Sequence, residues 1–575
     1  MLKLMRYLKP YVATITLVLV LTLAGVFSEL LLPRLMGNIV DKGVAEGDLQ
    51  YIYRTGVMML LISIVGTAAT VTSRYLSSKA ALAFGRDLRS DVFKKVEGFS
   101  MNEIDKIGTA SLITRTTNDV SQMQNVAIMS MRMMLRAPFM MVGGIIMAVT
   151  TNQKLSGVLL ISAPIVIAVI AIVGKMGYPL FKEIQKKIDN LNRVLRESLT
   201  GIRVIRAFNK TSYEKDRFNS ANRELTETSL KVGRIMAVMM PFLNVIMNFT
   251  IIGVIWYGSR LIELRGLEVG QMMAFIQYVS QIMFSMIMVS MIFIMLPRAS
   301  ASAERINEVL EVETEIIDGT DTIEGTIANG ILTLNGVTFK YQDASTPAVR
   351  DISFSTKKGE TTAIIGGTGS GKSTLLNLMM RFYDVTEGEI LINGIDISAI
   401  PQEELRSRFG LIAQKAVLFT GTIRENILFG REDATDEEIE EVLKIAQAWD
   451  FVEDKEEGLE HVLAQGGKNL SGGQKQRLAI ARALIRKPEF YLFDDSFSAL
   501  DFRTDRRLRE ALKPYTANSA VIVVAQRVST IKDAENIIVL DEGRIVGTGT
   551  HDELIDKCSV YREIVVSQLG EEAVQ

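Results

Sequence analysis

GGTGSGKST, residues 366–374, follows the apolar run TTAII and precedes LLNLMMRF. It satisfies the pattern G-x-x-x-x-G-K-[ST] in the strand, loop, helix setting that this pattern requires. Glycines let backbone N–H groups turn inward on phosphate oxygens, at a helix N-terminus that already favours anions. The pattern assigns Gly366, Gly367, Thr368, Gly369, Ser370, Gly371, Lys372, Ser373 and Thr374 to the phosphates of a nucleotide. Lys372 is expected to reach the β and γ phosphates, and the Ser373 hydroxyl to bind Mg²⁺. Around this loop the strand-like runs ILTLNGVTF, TTAIIG, YLF and AVIVVA alternate with helical stretches, which predicts an α/β domain with a substantially parallel sheet.

Upstream the chain is different in kind. A length of 575 residues implies two or more domains, and the apolar residues are concentrated in the first half. Six long apolar segments, 11–40, 57–75, 129–150, 155–173, 235–257 and 271–297, each reach the roughly 20 residues that a helix needs to cross a bilayer. The opening MLKLMRYLKPY carries Lys3, Arg6 and Lys9 but leads into an apolar run too long for a signal-peptide core, so it reads as a short interfacial helix. Residues 79–120 and 175–234 carry about twenty Lys and Arg, against about five in the turns near Lys42, Lys154 and Arg260, which puts both long loops and the N-terminus in the cytoplasm.

The loops read as helical. Ile184, Ile188, Leu191, Leu195 and Leu199 recur at intervals of three or four, and no proline interrupts them. Polar breaks fall at IGTASLITRTTND and AFNKTSYEKDRF, so the tips at 109–115 and 208–213 are the expected contacts with another domain. A charged helix at RASASAERINEVLEVETEI and a polar linker then lead to the α/β part. The expected domains are 1–310, 311–330 as linker, and 331–575.

The totals narrow the partners. With 64 basic and 66 acidic residues the formal charge is −2, and no nucleic-acid partner is implied. A single cysteine, Cys558, excludes an internal disulfide framework, and two distant histidines, His461 and His551, speak against a zinc site.

NLSGGQKQRLAIARAL, residues 469–484, is the more diagnostic motif. With the phosphate loop about a hundred residues earlier and YLFDD just after it, the C-terminal part resembles the nucleotide-binding domain of ABC ATPases. With six preceding spans and long cytoplasmic loops, the whole chain resembles an ABC exporter half-transporter. The resemblance implies a membrane all-α six-helix transmembrane domain followed by an α/β P-loop ATPase domain of ABC type, multi-pass in the cell (inner or plasma) membrane with its nucleotide domain in the cytoplasm. It implies ATP and Mg²⁺ as ligands. Tyr341 would stack on adenine, Gln414 would join the Mg²⁺ site to the membrane domain's contact surface, and Asp494 would hold Mg²⁺ together with Ser373. Ser471, Gly472, Gly473 and Gln474 would contact the ATP of a partner subunit, because the family works as a head-to-tail dimer.

Two positions depart from that pattern. Asp495 stands where the family places the glutamate that polarises the attacking water, and Gln526 stands where it places a histidine at the γ-phosphate. Glutamine donates a hydrogen bond but cannot carry charge or pass a proton near neutral pH. Both changes fall on the hydrolytic machinery while the binding parts remain. Smaller departures are Gly367 for a proline and Ala464-Gln465 without an acidic residue. The expectation is therefore the degenerate-site half of a heterodimeric bacterial exporter. Its partner would be a second half-transporter with intact glutamate and histidine, and together they would carry amphipathic compounds or drugs by alternating access. The alternatives are a self-sufficient homodimeric exporter of lipid or peptide, or a nucleotide-gated regulatory or channel subunit.

The membrane half says less. Gln277, Gln281, Phe284 and Met288 share a face of the sixth span, a mixture that suits a permissive cavity. Glu29, Arg34, Arg132 and Arg136 are ionisable residues in or beside spans and are functional candidates for that reason. Asp41, at the outer end of the first span, is a candidate for closing an external gate.

Overall fold

The computed structural model describes residues 2–321, 330–342 and 344–571. Residues 322–329 of the expected linker lie outside the described residues. The chain forms two compact units, one comprising Met1–Glu97 with Thr109–Val312 and the other Gly98–Gly108 with Glu313–Gln575.

The first unit is all helix. A tight 3-10 helix at Leu2–Tyr11 leads into Val12–Asn38, followed by Leu49–Glu97, Thr109–Thr151, Gly157–Thr200, Thr211–Glu263 and Val269–Glu311. Spanning segments must satisfy their backbone groups internally, and a helix does so within one segment. At 49 residues, Leu49–Glu97 is about 74 Å long by its rise per residue, more than twice the roughly 30 Å of bilayer hydrocarbon. The surplus is the predicted helical extension into the cytoplasm. Val26, Leu30, Met140, Phe275, Tyr278 and Ile282 form the centre of its core, where the Tyr278 hydroxyl donates to the Leu30 carbonyl at 3.1 Å. Asp41 accepts from the N–H groups of Gly270 at 2.6 Å and Gln271 at 3.0 Å, so it ties the end of the first spanning helix to the start of the sixth.

The first cytoplasmic break differs from its expected place. Thr109–Thr114 is helical and belongs to the membrane unit, whereas the preceding helix Met101–Ile107 belongs to the C-terminal unit. Ser100 and Glu103 cap that short helix reciprocally, and Gly108 ends it at φ 82°. These signals fix a separate seven-residue helix immediately before the expected tip at 109–115. In the second loop Ile202–Ala207 is a short helix, and Phe208 and Tyr213 are exposed. Leu195 and Leu199 are exposed as well, so the apolar stripe of that region is narrower than its periodicity predicts.

The C-terminal unit carries twelve strands among the described residues. They are β1 (Leu332–Phe339), β2 (Val349–Thr356), β3 (Thr361–Gly366), β4 (Glu387–Ile392), β5 (Ile395–Asp396) and β6 (Phe409–Ile412). Then come β7 (Gly421–Thr422), β8 (Val462–Leu463), β9 (Phe490–Asp494), β10 (Ala520–Val524), β11 (Asn536–Asp541) and β12 (Arg544–Gly549). The main sheet has the order β12-β11-β3-β10-β9-β6, parallel except for the edge strand β12. Its central strands are buried on both faces, which explains runs such as YLF and VIVV that do not alternate. The run at Leu332–Phe339 instead joins an antiparallel sheet, β2-β1-β4-β5, so the fold is less uniformly parallel than predicted. The phosphate-loop strand β3 sits between β11 and β10, with apolar clusters on either face.

Candidate functional site

The phosphate loop is built by two close approaches. A Cβ on Gly366 would lie 2.1 Å from the Leu540 carbonyl oxygen of the neighbouring strand. Gly371 is left-handed at φ 98° and caps the helix Lys372–Met379. Only glycine takes both positions without strain. A Cβ on Gly367 would meet nothing within 4 Å. The Lys372 ammonium donates to the carbonyls of Gly366 at 2.8 Å and Gly367 at 2.6 Å. Burial pushes it below the usual lysine range, with Asp495 and Asp494 pulling the other way.

The strand β9 delivers the carboxylates. The Ser373 hydroxyl donates to Asp494 Oδ1 at 3.1 Å. Burial pushes the Asp494 carboxyl above the usual range; Ser373 and Lys372 oppose the shift, and Asp495 adds to it. A half-buried carboxylate beside a hydroxyl offers the hard oxygen donors that Mg²⁺ takes from proteins alongside phosphate oxygens. Ser373 and Asp494 thus fit the ion. Gln414 is turned instead toward Asp495, with its Nε2 donating to Oδ2 at 3.2 Å.

Asp495 itself is 7% exposed and holds a left-handed backbone at φ 45°, a conformation that costs of order 1–3 kcal/mol in a non-glycine residue and collects at functional sites. Its N–H donates to Val524 at 2.8 Å, and its carbonyl accepts from the Ser498 hydroxyl at 2.7 Å. Arg527 Nη2 donates to the Ser498 carbonyl at 3.4 Å, linking this turn to the segment after β10. Gln526 lies in that segment with an exposed side chain.

Tyr341 packs edge-on against Phe339 at 4.9 Å and Tyr383 at 5.4 Å, and its hydroxyl lies 3.2 Å from Thr374 Oγ1. Ser471 caps the helix Gly472–Leu484, its Oγ accepting from the Gln474 N–H while the Gln474 side chain returns to the Ser471 N–H at 3.0 Å. Among the described residues no hydrogen bond joins residues 471–474 to Lys372, Ser373 or Asp494. The structure therefore brings together Tyr341, residues 366–374, Gln414, Asp494 and Asp495, and leaves 471–474 as a separate, solvent-facing helix start.

Three residues were not found from the sequence. Gln568 donates through Nε2 to the Gln526 carbonyl at 2.7 Å and accepts at Oε1 from the Val528 N–H at 2.8 Å. Tyr383 and Asp105 share a hydrogen bond of 2.7 Å. The tail helix Ser559–Leu569 carries no motif. RFYD, which follows the phosphate-loop helix, is the one signal that could have drawn attention to Tyr383.

The ABC transporter transmembrane region matches residues 15–286, and the ABC transporter family matches residues 349–498. An uncharacterized ABC transporter ATP-binding protein of Mycobacterium tuberculosis is 41% identical over 98% of this chain and 97% of its own length. The uncharacterized ABC transporter ATP-binding protein YfiB of Bacillus subtilis is 38% identical over 99% of both. A solved structure of a bacterial Atm1-family ABC exporter with ATP bound shares the fold with a TM-score of 0.79, covering 98% of this chain and 99% of that one at 24% identity. The chain thus belongs to the ABC transporter family, with one membrane-spanning region followed by one ATP-binding domain.

Proposed function

We propose that this half-transporter contributes a nucleotide site that holds Mg-ATP and turns it over slowly, and completes a faster site on an unlike partner through Ser471–Gln474. The observation that carries the reading is Asp495. It directly follows the last residue of β9, the position at which the resemblance expects a water-polarising glutamate, and its side chain is shorter by roughly one C–C bond, about 1.5 Å. A misplacement of about 1 Å costs on the order of a hundredfold in rate when the reacting atoms must be aligned. The hydrogen bond from Gln414 further occupies one Asp495 oxygen.

In this reading Lys372 neutralises phosphate charge, Tyr341 supports the base, and the loop amides orient the phosphates. Ser373 and Asp494 would hold Mg²⁺, which would supply neutralisation of phosphate charge. Asp495 and Gln526 leave the attacking water without a well-placed base or a proton-carrying imidazole, a contribution typically worth about 10² to 10⁴ in rate. Slow turnover would keep the paired nucleotide domains together while the other site cycles, and alternating access would export an amphipathic compound.

Nucleotide retention tests the reading. The full chain in lipid, incubated with labelled Mg-ATP and separated rapidly from free nucleotide, is expected to retain intact ATP. Recovery of mostly ADP after the same interval would contradict it.

A further inference from the structure

Two cavities in the membrane unit share a wall. The larger, about 620 Å³, is lined by Met140, Met240, Met247, Met283, Phe284 and Gln281 among others. The smaller, about 210 Å³, is lined by Arg74, Arg132 and Arg136 with Thr22, Thr70 and Ser73. Arg136 and Met288 line both.

The smaller cavity carries an excess of positive charge. Glu29 pairs with Arg136 at 2.6 Å. Arg132 donates to neutral acceptors only, the Arg74 carbonyl at 3.1 Å, Ser77 Oγ at 3.3 Å and Ser78 Oγ. Among the described residues no carboxylate pairs with Arg74 or Arg132. The positive-inside rule accounts for arginines at the cytoplasmic ends of the second and third spans. It does not account for their convergence on one cavity, since arginines that serve only the interface direct their heads to the lipid surface. Arg74 and Arg132 are exposed at these span ends, and ionisable residues in or beside spans that face a cavity are functional candidates.

We infer that the two cavities form one site for an anionic amphipath. Its phosphate or carboxylate head lies among Arg74, Arg132 and Arg136, where planar guanidinium groups match such oxygens. Its apolar chain lies against the methionines, whose flexible thioethers adapt to many chain shapes. Gln281 Oε1 is buried without a hydrogen-bond partner and lines the larger cavity. It is free to accept from a hydroxyl or amide N–H on a ligand that carries one next to the chain. This names the substrate class of the exporter proposed above and rests on its being an exporter, but not on its rate of hydrolysis.

Binding without nucleotide separates the two claims. Labelled dodecyl phosphate is bound to the full chain in maltoside micelles and displaced by unlabelled dodecyl phosphate, dodecylphosphocholine or dodecyltrimethylammonium. Dodecyl phosphate is expected to compete at concentrations about tenfold lower than the other two, and Arg74→Gln with Arg132→Gln is expected to remove that preference. Equal competition by dodecyltrimethylammonium on the unmodified chain overturns the inference whatever the variants do. Met247→Trp, which fills the larger cavity, is expected to weaken dodecyl phosphate about tenfold, the effect of losing contact with two methylenes. Unchanged binding would mean that only a head group at the rim is held, which also overturns it. Competition by phosphatidylglycerol supports the site with a membrane lipid as occupant, and competition by single-chain compounds alone supports it with a soluble amphipath.

Discussion

The Tyr383 hydroxyl donates to Asp105 Oδ2 at 2.7 Å, joining the core below the phosphate loop to the helix Met101–Ile107 from the first cytoplasmic loop. Burial first, and then the Asp105 carboxylate, push the Tyr383 hydroxyl well above its usual range, so it stays a donor at all physiological pH. Tyr341, the candidate adenine contact, packs edge-on against the same ring. Asn102 and Glu103 add hydrogen bonds to Glu315 at 2.7 and 3.0 Å.

A hydrogen bond to a carboxylate contributes about 1.5–3 kcal/mol. Tyr383→Phe and Asp105→Asn are therefore expected to be non-additive. In a double-mutant cycle read from thermal unfolding, the coupling should be about 1.5 kcal/mol. Additive effects would show that the two residues only happen to be close.

Gln568 holds the backbone on both sides of Arg527, accepting from Val528 and donating to Gln526. In a chain carrying Gln526→His, Gln568→Leu is expected to lower kcat for ATP on the order of tenfold while KM stays within about twofold, because positioning is lost and binding is not. A parallel rise in KM would indicate general loosening of the domain.

Asp494 gives a pH test. Burial raises its folded-state pKa, so between the unfolded value near 3.8 and the raised value the folded state binds more protons, and stability falls as pH rises through that window. At neutral pH its charged form is a stability cost that Asp494→Asn removes. The variant is expected to unfold at a higher temperature than the parent at pH 7 without nucleotide, with the difference shrinking as pH falls toward 4. It is also expected to lose the added stabilisation that Mg²⁺ gives over ATP alone.

The division into a spanning region and an α/β domain was legible because bilayer thickness and the phosphate-loop pattern each impose a fixed length on the chain. The phosphate loop was legible for a local reason, since its glycines, lysine and serine act within nine residues. Asp495 and Gln526 were legible as departures, but their surroundings were not. The Gln414 and Gln568 contacts join segments about eighty and forty residues apart through ordinary polar side chains. The break before Met101 was missed because its signals, Ser100, Glu103 and Gly108, are individually common. The pairing of Glu29 with Arg136 spans 107 positions and follows from helix packing alone.

The central claim is that Asp495 and Gln526 limit hydrolysis. Its most direct test is steady-state ATP hydrolysis by the unmodified chain in lipid, beside the double variant Asp495→Glu with Gln526→His. The account predicts that both bind ATP with similar affinity and that the double variant turns it over at least about a hundredfold faster. Brisk hydrolysis by the unmodified chain, with no gain from the double variant, would contradict it and make Asp495 a competent base in a self-sufficient dimer.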